Sequence, residues 1–146
     1  MAKFSAAWRT SGAGTTLLPI ASIYATAAVR PRILEIGCFN TTATAVSVSI
    51  RRLSSSGTAS TIAALNQDDE TQTAVAVPKD THSSTGPTIT AGALRVATLG
   101  GAVGAGVIWT FQEPGLIIPA ATTNAICLVP WTGTGQICDV SFTWVE

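Results

Sequence analysis

Charge is what this sequence has least of. Asp, Glu, Lys and Arg make up 11% of its 146 residues, against about 25% in an average soluble domain. The eight acidic and eight basic residues cancel. Proteins that bind nucleic acid neutralise phosphates with Lys and Arg, and a net-neutral chain lacks that means. Its local basic pairs, Arg30-Pro31-Arg32 and Arg51-Arg52, read as solvated strand ends or interface charges. Histidine occurs once, at His82, and the three cysteines form no Cys-x-x-Cys pair. An odd count without such a pair argues against a metal site or a disulfide framework. Cys38, Cys127 and Cys138 each lie in an apolar run, where a free thiol behaves as a small core hydrophobe. A reduced compartment is the simpler expectation, with a Cys127–Cys138 disulfide as the alternative. No apolar segment follows Lys3 as a signal peptide requires. Gly and Pro break every long uncharged stretch, so neither a transmembrane helix nor a membrane partner is expected.

Hydrophobic residues reach 47%, and the balance is largely Thr, Ser and Gly. Such a chain presents small hydroxyl and methyl groups rather than a charged surface. Either a partner or further copies cover much of that surface, or the protein is β-rich with Thr and Ser on its wet strand faces. The composition leans to assembly. The length suits one domain of ordinary size, able to bury roughly two thirds of its unfolded surface without a staple.

Alternation of apolar and polar residues runs through the chain. Lys3 to Arg9, with Phe4, Ala6 and Trp8 to one side, reads as a first strand or an N-terminal arm, residues 1–14 ending at Ser11-Gly-Ala-Gly14. The sandwich domain then takes residues 15–146. Leu17 to Ala25 reads as a strand held to an edge by Pro19. Ile33 to Asn40 and Ala45 to Leu53 read as a hairpin-like pair; the second is the cleanest strand, with Val46, Val48 and Ile50 pointing in. Thr58 to Thr71 has the composition of an exposed loop. Gln72 to Val77 alternates and stops at Pro78, and Thr88 to Leu99 gives a strand around Leu94, Val96 and Thr98. Gly100 to Gly106 is a turn. Four apolar runs close the chain: Val107 to Gln112, Leu116 to Ile118, Asn124 to Trp131 and Gln136 to Val145. In the last, Cys138, Val140, Phe142 and Trp144 share a face. No helical period is sustained. About eight strands spaced by turns predict an all-β fold, a single antiparallel β-sandwich that is jelly-roll-like.

No constellation for catalysis stands out. Asp68-Asp69-Glu70 has carboxylates but no calcium-loop spacing. Asp80, His82 and Ser83 are neighbours in one loop, whereas a triad needs side chains converging from separate elements. The glycines from Gly100 to Gly106 do not follow the dinucleotide fingerprint or precede a helix. Asn40-Thr41-Thr42 matches a glycosylation sequon, by chance in a Thr-rich chain. Trp109, Trp131 and Trp144 read as core. Trp8 is the better anchor for a partner, or a platform for a sugar ring. No cofactor, metal ligand or catalytic residue is expected.

The run Trp109-Thr-Phe-Gln-Glu-Pro-Gly-Leu-Ile-Ile-Pro-Ala120, the strand Asp139-Val-Ser-Phe-Thr-Trp144 and the opening Ile33-Leu-Glu-Ile-Gly-Cys-Phe-Asn-Thr-Thr42 resemble small tailed-phage virion proteins, the jelly-roll decoration (cement) proteins of the capsid. The likeness covers residues 30–146 as strand-turn layout and texture. It implies a non-enzymatic protein, made in the host cytoplasm, that sits on the virion's outer capsid surface. Its partners would be the major capsid protein and itself, as a homotrimer. An extended terminal arm would dock it, here through Lys3, Phe4, Trp8 and Arg9. The alternative is a carbohydrate- or receptor-binding β-sandwich module of a tail or fibre.

Overall fold

A computed structural model describes every residue except Glu70. Among the described residues the regular structure is all strand, and no helix is long and apolar enough to cross a membrane. Eleven strands occur: β1 (Lys3–Arg9), β2 (Ala21–Tyr24), β3 (Arg32–Asn40), β4 (Val46–Leu53), β5 (Leu65–Asn66), β6 (Val77–Lys79), β7 (Arg95–Leu99), β8 (Gly106–Thr110), β9 (Leu116–Ile117), β10 (Ala125–Pro130) and β11 (Cys138–Val145). They form two antiparallel sheets. The first runs β5-β1-β11-β3-β8, with β9 also on β3; the second runs β6-β2-β10-β4-β7. Without the short β5, β6 and β9, two four-stranded sheets remain, β1-β11-β3-β8 and β2-β10-β4-β7. The chain passes between them at nearly every step. That is the jelly-roll arrangement, and it accounts for the expected count of about eight strands.

Sheet pairing follows the alternation. Along β11, Cys138, Val140, Phe142 and Trp144 are buried while the residues between are half-buried. All of β1 pairs with β11, from Lys3 opposite Val145 to Arg9 opposite Asp139. That register sets Phe4 against Trp144, ring centroids 5.9 Å apart, and Trp8 against Phe142 at 5.8 Å. The inner faces of the two sheets meet there, with Ile33, Ile36, Val48, Ile50, Ile126 and Leu128 across the core. A fully buried aliphatic side chain of this size contributes about 1.5–3 kcal/mol.

Several expectations need correction. Of the two readings of the N-terminal residues the first strand holds, with strand neighbours on both sides, and only the docking arm gives way. The runs at β3 and β4 do not form a hairpin: they lie in different sheets, joined by a corner. Asn40 builds that corner, its Nδ2 donating to the carbonyls of Thr44 (2.7 Å) and Gly100 (3.1 Å) and its Oδ1 accepting from the Thr42 amide (3.0 Å). Asn40 is therefore buried and occupied, which removes the sequon from consideration in the folded protein. Pro19 precedes β2 rather than edging it, and β2 lies inside its sheet. Pro78 lies within β6 instead of ending a strand before it. Proline is tolerated there because β6 is an edge strand. In β7 the core side is Ala97 and Leu99, while Val96 and Thr98 face solvent.

The two sheets are covered differently. Between β4 and β7 the chain makes a long excursion, residues 54–94, that carries β5 to the first sheet and crosses the outer face of the second. Its return is tied to β4 by the amides of Thr90 and Leu94, which donate to the carbonyls of Arg52 (3.0 Å) and Ile50 (2.8 Å). Beneath it lies a second apolar cluster of Tyr24, Leu53, Ala125, Cys127 and Val129, with Val77 and Ile89 packed on it. For this reason β2 and β10 are buried on both faces. Among the described residues no such cluster forms on the outer face of the first sheet.

Candidate functional site

The four residues expected to dock a partner occupy one strand but not one surface. Phe4 is 2% exposed and belongs to the core. Trp8 is half-buried on the same inner face, and its Nε1 donates to Asp80 Oδ1 at 3.1 Å. Lys3 and Arg9 lie on the opposite face. The Lys3 amide donates to Asp68 Oδ2 at 3.0 Å. Arg9 meets its cross-strand neighbour Asp139 in a two-pronged ion pair at 2.8 and 2.9 Å. The pair raises the Arg9 pKa and lowers that of Asp139, in each case chiefly through the side-chain hydrogen bond.

Around Arg9 the outer face of the first sheet carries Ser5, Ala7, Asp139, Ser141, Thr143, Gly37 and Ile108. Ile108 is 54% exposed. Gly37 keeps this face flat, since a Cβ there would stand 2.5 Å from Ser141 Oγ. At its edge, Gly106 lies under the Phe39 ring and has no room for a side chain. The face is thus broad and built mostly of small side chains, with Phe39 at one end and four charges that cancel, Lys3 and Arg9 against Glu35 and Asp139.

Titratable groups elsewhere are dispersed. Of the acidic triplet, Glu70 lies outside the described residues. Asp69 is turned onto Thr71, whose amide and hydroxyl donate to it and hold its carboxyl below the usual range. Asp80 sits between Trp8, the Ser11 amide and Thr81. Burial opposes its charge, but these hydrogen bonds outweigh burial and lower its pKa. Among the described residues no three His, Cys, Asp or Glu side chains gather as metal ligands.

His82 is 2% exposed, pinned by the excursion against the outer face of β2. Its Nε2 lies 3.0 Å from Ser22 Oγ, and its ring centroid is 6.2 Å from that of Tyr24. Nδ1 has no hydrogen-bond partner and faces Gly57. Burial, with help from the Lys79 charge, pushes its pKa down to about 4. The ring is therefore neutral at pH 7. Ser22 is wholly buried, so no substrate reaches the pair. Together they hold the excursion down.

All three cysteines are free and buried. Cys127 belongs to the outer cluster of the second sheet, not beside Cys138, so the alternative disulfide has no basis. Burial pushes its thiol up to about 12. Cys38 and Cys138 lie together in the main core, where the hydrogen bond between them raises the first and lowers the second.

Of the tryptophans, Trp144 is fully buried and Trp109 is partly buried against the core. Trp131 departs from the core expectation: it is 36% exposed, just past β10, with the Arg51 guanidinium 4.6 Å from its ring centroid. Arg51 also borders a groove of about 530 Å³ with Thr15, Thr16, Leu17, Pro87 and Ile89. A second groove, about 390 Å³, joins Arg30 and Arg52 across Leu53, Ile117 and Pro119. The sequence shows the two basic pairs but not that members of each meet.

Fold and surfaces together define a jelly-roll β-sandwich with one sheet wrapped by its own chain and the other bare. Comparison with protein families, curated proteins and solved structures finds no match for the chain.

Proposed function

We propose that this protein is a non-enzymatic structural component of a virus particle, a capsid decoration protein that binds the outside of a phage head as an oligomer. The observation that carries the reading is the outer face of the β5-β1-β11-β3-β8 sheet. It is broad and, among the described residues, without a covering cluster; its four charges, Lys3, Arg9, Glu35 and Asp139, cancel, and Arg9–Asp139 is the one ion pair among the described residues. Flat faces of small Ser, Thr, Ala and Gly side chains suit repeated contact with a shell. Modest affinity per copy is multiplied there by the lattice. Docking through an unfolded arm is replaced in this proposal by docking through the strand face that Lys3 and Arg9 share. Deleting residues 1–10 would remove β1 and test folding rather than docking. The test is instead Ala7→Arg with Ser141→Arg, two outward positions on paired strands. Co-sedimentation with purified shells of the cognate major capsid protein is expected to fall at least tenfold in the variant. Wild-type protein that stays in the supernatant at every shell concentration overturns the reading.

Trp131 favours a second reading, a glycan-binding module of a tail or fibre. Its ring is partly exposed and backed by Arg51, which also borders the hydroxyl-lined groove. A glycan array on which Trp131→Ala abolishes the wild-type hits would support it, and an array without hits would remove it.

A further inference from the structure

The charges, few as they are, are sorted by flank. On the side bounded by β7, β8 and β9 stand Arg30, Arg32, Arg51, Arg52 and Arg95, against Glu35 and Glu113. On the opposite side, bounded by β5 and β6, stand Asp68, Asp69, Asp80 and Glu146, against Lys3 and Lys79. A neutral chain therefore has a basic flank and an acidic flank.

Each flank also carries an apolar feature. Between Arg30 and Arg52 lies the groove of about 390 Å³, floored by Leu53, Ile117 and Pro119 and with no carboxylate in its lining. Arg52 is held at its rim by a 2.9 Å bond from Nη1 to the Ile117 carbonyl. Among the described residues neither arginine has a salt-bridge partner. On the acidic flank Leu65, in the edge strand β5, is 70% exposed, three residues before Asp68 and four before Asp69. Such an edge is left open to association. A protruding leucine followed by two carboxylates matches an apolar-floored groove rimmed by two guanidiniums, which recognise carboxylates well.

We propose that this groove receives the β5 flank of a second copy of the chain, Leu65 entering between Arg30 and Arg52 while Asp68 and Asp69 meet the guanidiniums. The contact joins unlike surfaces, so copies associate head to tail. Such contacts close into rings where the rotation permits and otherwise extend as filaments. This deepens the oligomeric reading above and rests on it; Leu65 stands beside Ser5 at the margin of the first sheet's outer face, and the face from β1 to β8 stays free for the shell.

Sedimentation velocity on the full chain tests it. Arg30→Glu/Arg52→Glu and Asp68→Arg/Asp69→Arg are each expected to weaken self-association roughly tenfold or more, since like charges then face each other. Mixing the two variants restores association, because each carries the flank that the other's reversed flank now fits. Arg30→Glu alone, at an exposed side chain, keeps the test open should the change at Arg52 disturb the fold. Higher salt weakens the wild-type assembly. A wild-type oligomer indifferent to both reversals overturns this interface and leaves the virion reading standing. A wild-type protein monomeric at every concentration overturns the interface and the oligomeric reading together.

Discussion

His82 makes the stability of this fold pH-dependent in a window where the carboxylates contribute little. An unfolded chain gives histidine a pKa near 6.5, and the folded chain pushes it down to about 4. Between those values the unfolded chain holds a proton that the folded chain rejects, so stability falls as pH falls through the window. Asp69, Asp80 and Asp139 all have lowered pKa values and release their contributions at more acidic pH. The groups facing the ring are Ser22, Tyr24 and Lys79. If the ring kept its place throughout, the loss from pH 7 to pH 4 would approach about 3 kcal/mol, at about 1.4 kcal/mol per pH step between the two pKa values. Local lifting of the loop that carries His82 lets the ring hydrate before the sheets part. We therefore expect roughly 2 kcal/mol, a substantial share of the 5–15 kcal/mol of an ordinary domain. Urea unfolding at half-unit steps from pH 7 to pH 4, run on wild type and His82→Gln, measures it. Glutamine keeps a polar group near Ser22 and does not titrate. The difference between the two proteins should shrink as pH falls, the wild type losing its advantage mostly below pH 6. Parallel curves would refute the assignment of a buried neutral ring.

The remaining predictions concern the core and the thiols. Trp144→Ala empties the site facing Phe4 and should cost about 3–5 kcal/mol by urea midpoint, whereas Trp131→Ala should change the midpoint by under about 1 kcal/mol; equal losses would contradict their different burial. A thiol reagent should label none of Cys38, Cys127 and Cys138 in native buffer and all of them in denaturant. Labelling within minutes under native conditions would refute their burial.

Period-two patterning is legible wherever one strand face carries polar residues. β11 and β4 show it, because polar residues on the outer side mark which way the apolar ones point. β2 was not legible, since all four of its residues are buried and Ser22 is polar only to meet His82. The covering that buries it comes from residues 54–94, whose composition is that of a solvated loop, and nothing local reveals that such a loop lies across a sheet. The β3–β4 corner is ambiguous in sequence for a related reason. Two apolar strands joined by Asn40-Thr-Thr-Ala43 suit a hairpin or an arch equally, and only the bonds from Asn40 to Thr44 and Gly100 select the arch. Trp131 follows an apolar strand and so looked like core, although its place past the end of β10 leaves it on the rim. The basic grooves were invisible because Arg30 and Arg52 come together only through the path of β9 beside β3.

The unequal covering of the two sheets bears on the charge-poor composition. The second sheet's outer face needs no charge because Tyr24, Leu53 and Val129 lie under the chain's own excursion. Among the described residues the first sheet's outer face has no such cover, and its charges, Lys3 and Arg9 against Glu35 and Asp139, cancel. A solitary domain with a bare flat sheet commonly guards it with Lys and Glu, which discourage association. Here Arg9 pairs with Asp139, Lys3 and Glu35 stand apart on β1 and β3, and the middle of the face is left mostly to Ser, Thr, Ala and Gly. The same sequence therefore spends a long segment hiding one apolar face and places mostly small hydroxylic side chains, with no net charge, on the other. Those choices are consistent with each other if the first sheet is covered only in the assembled state, and that is the condition the shell-binding and sedimentation experiments address.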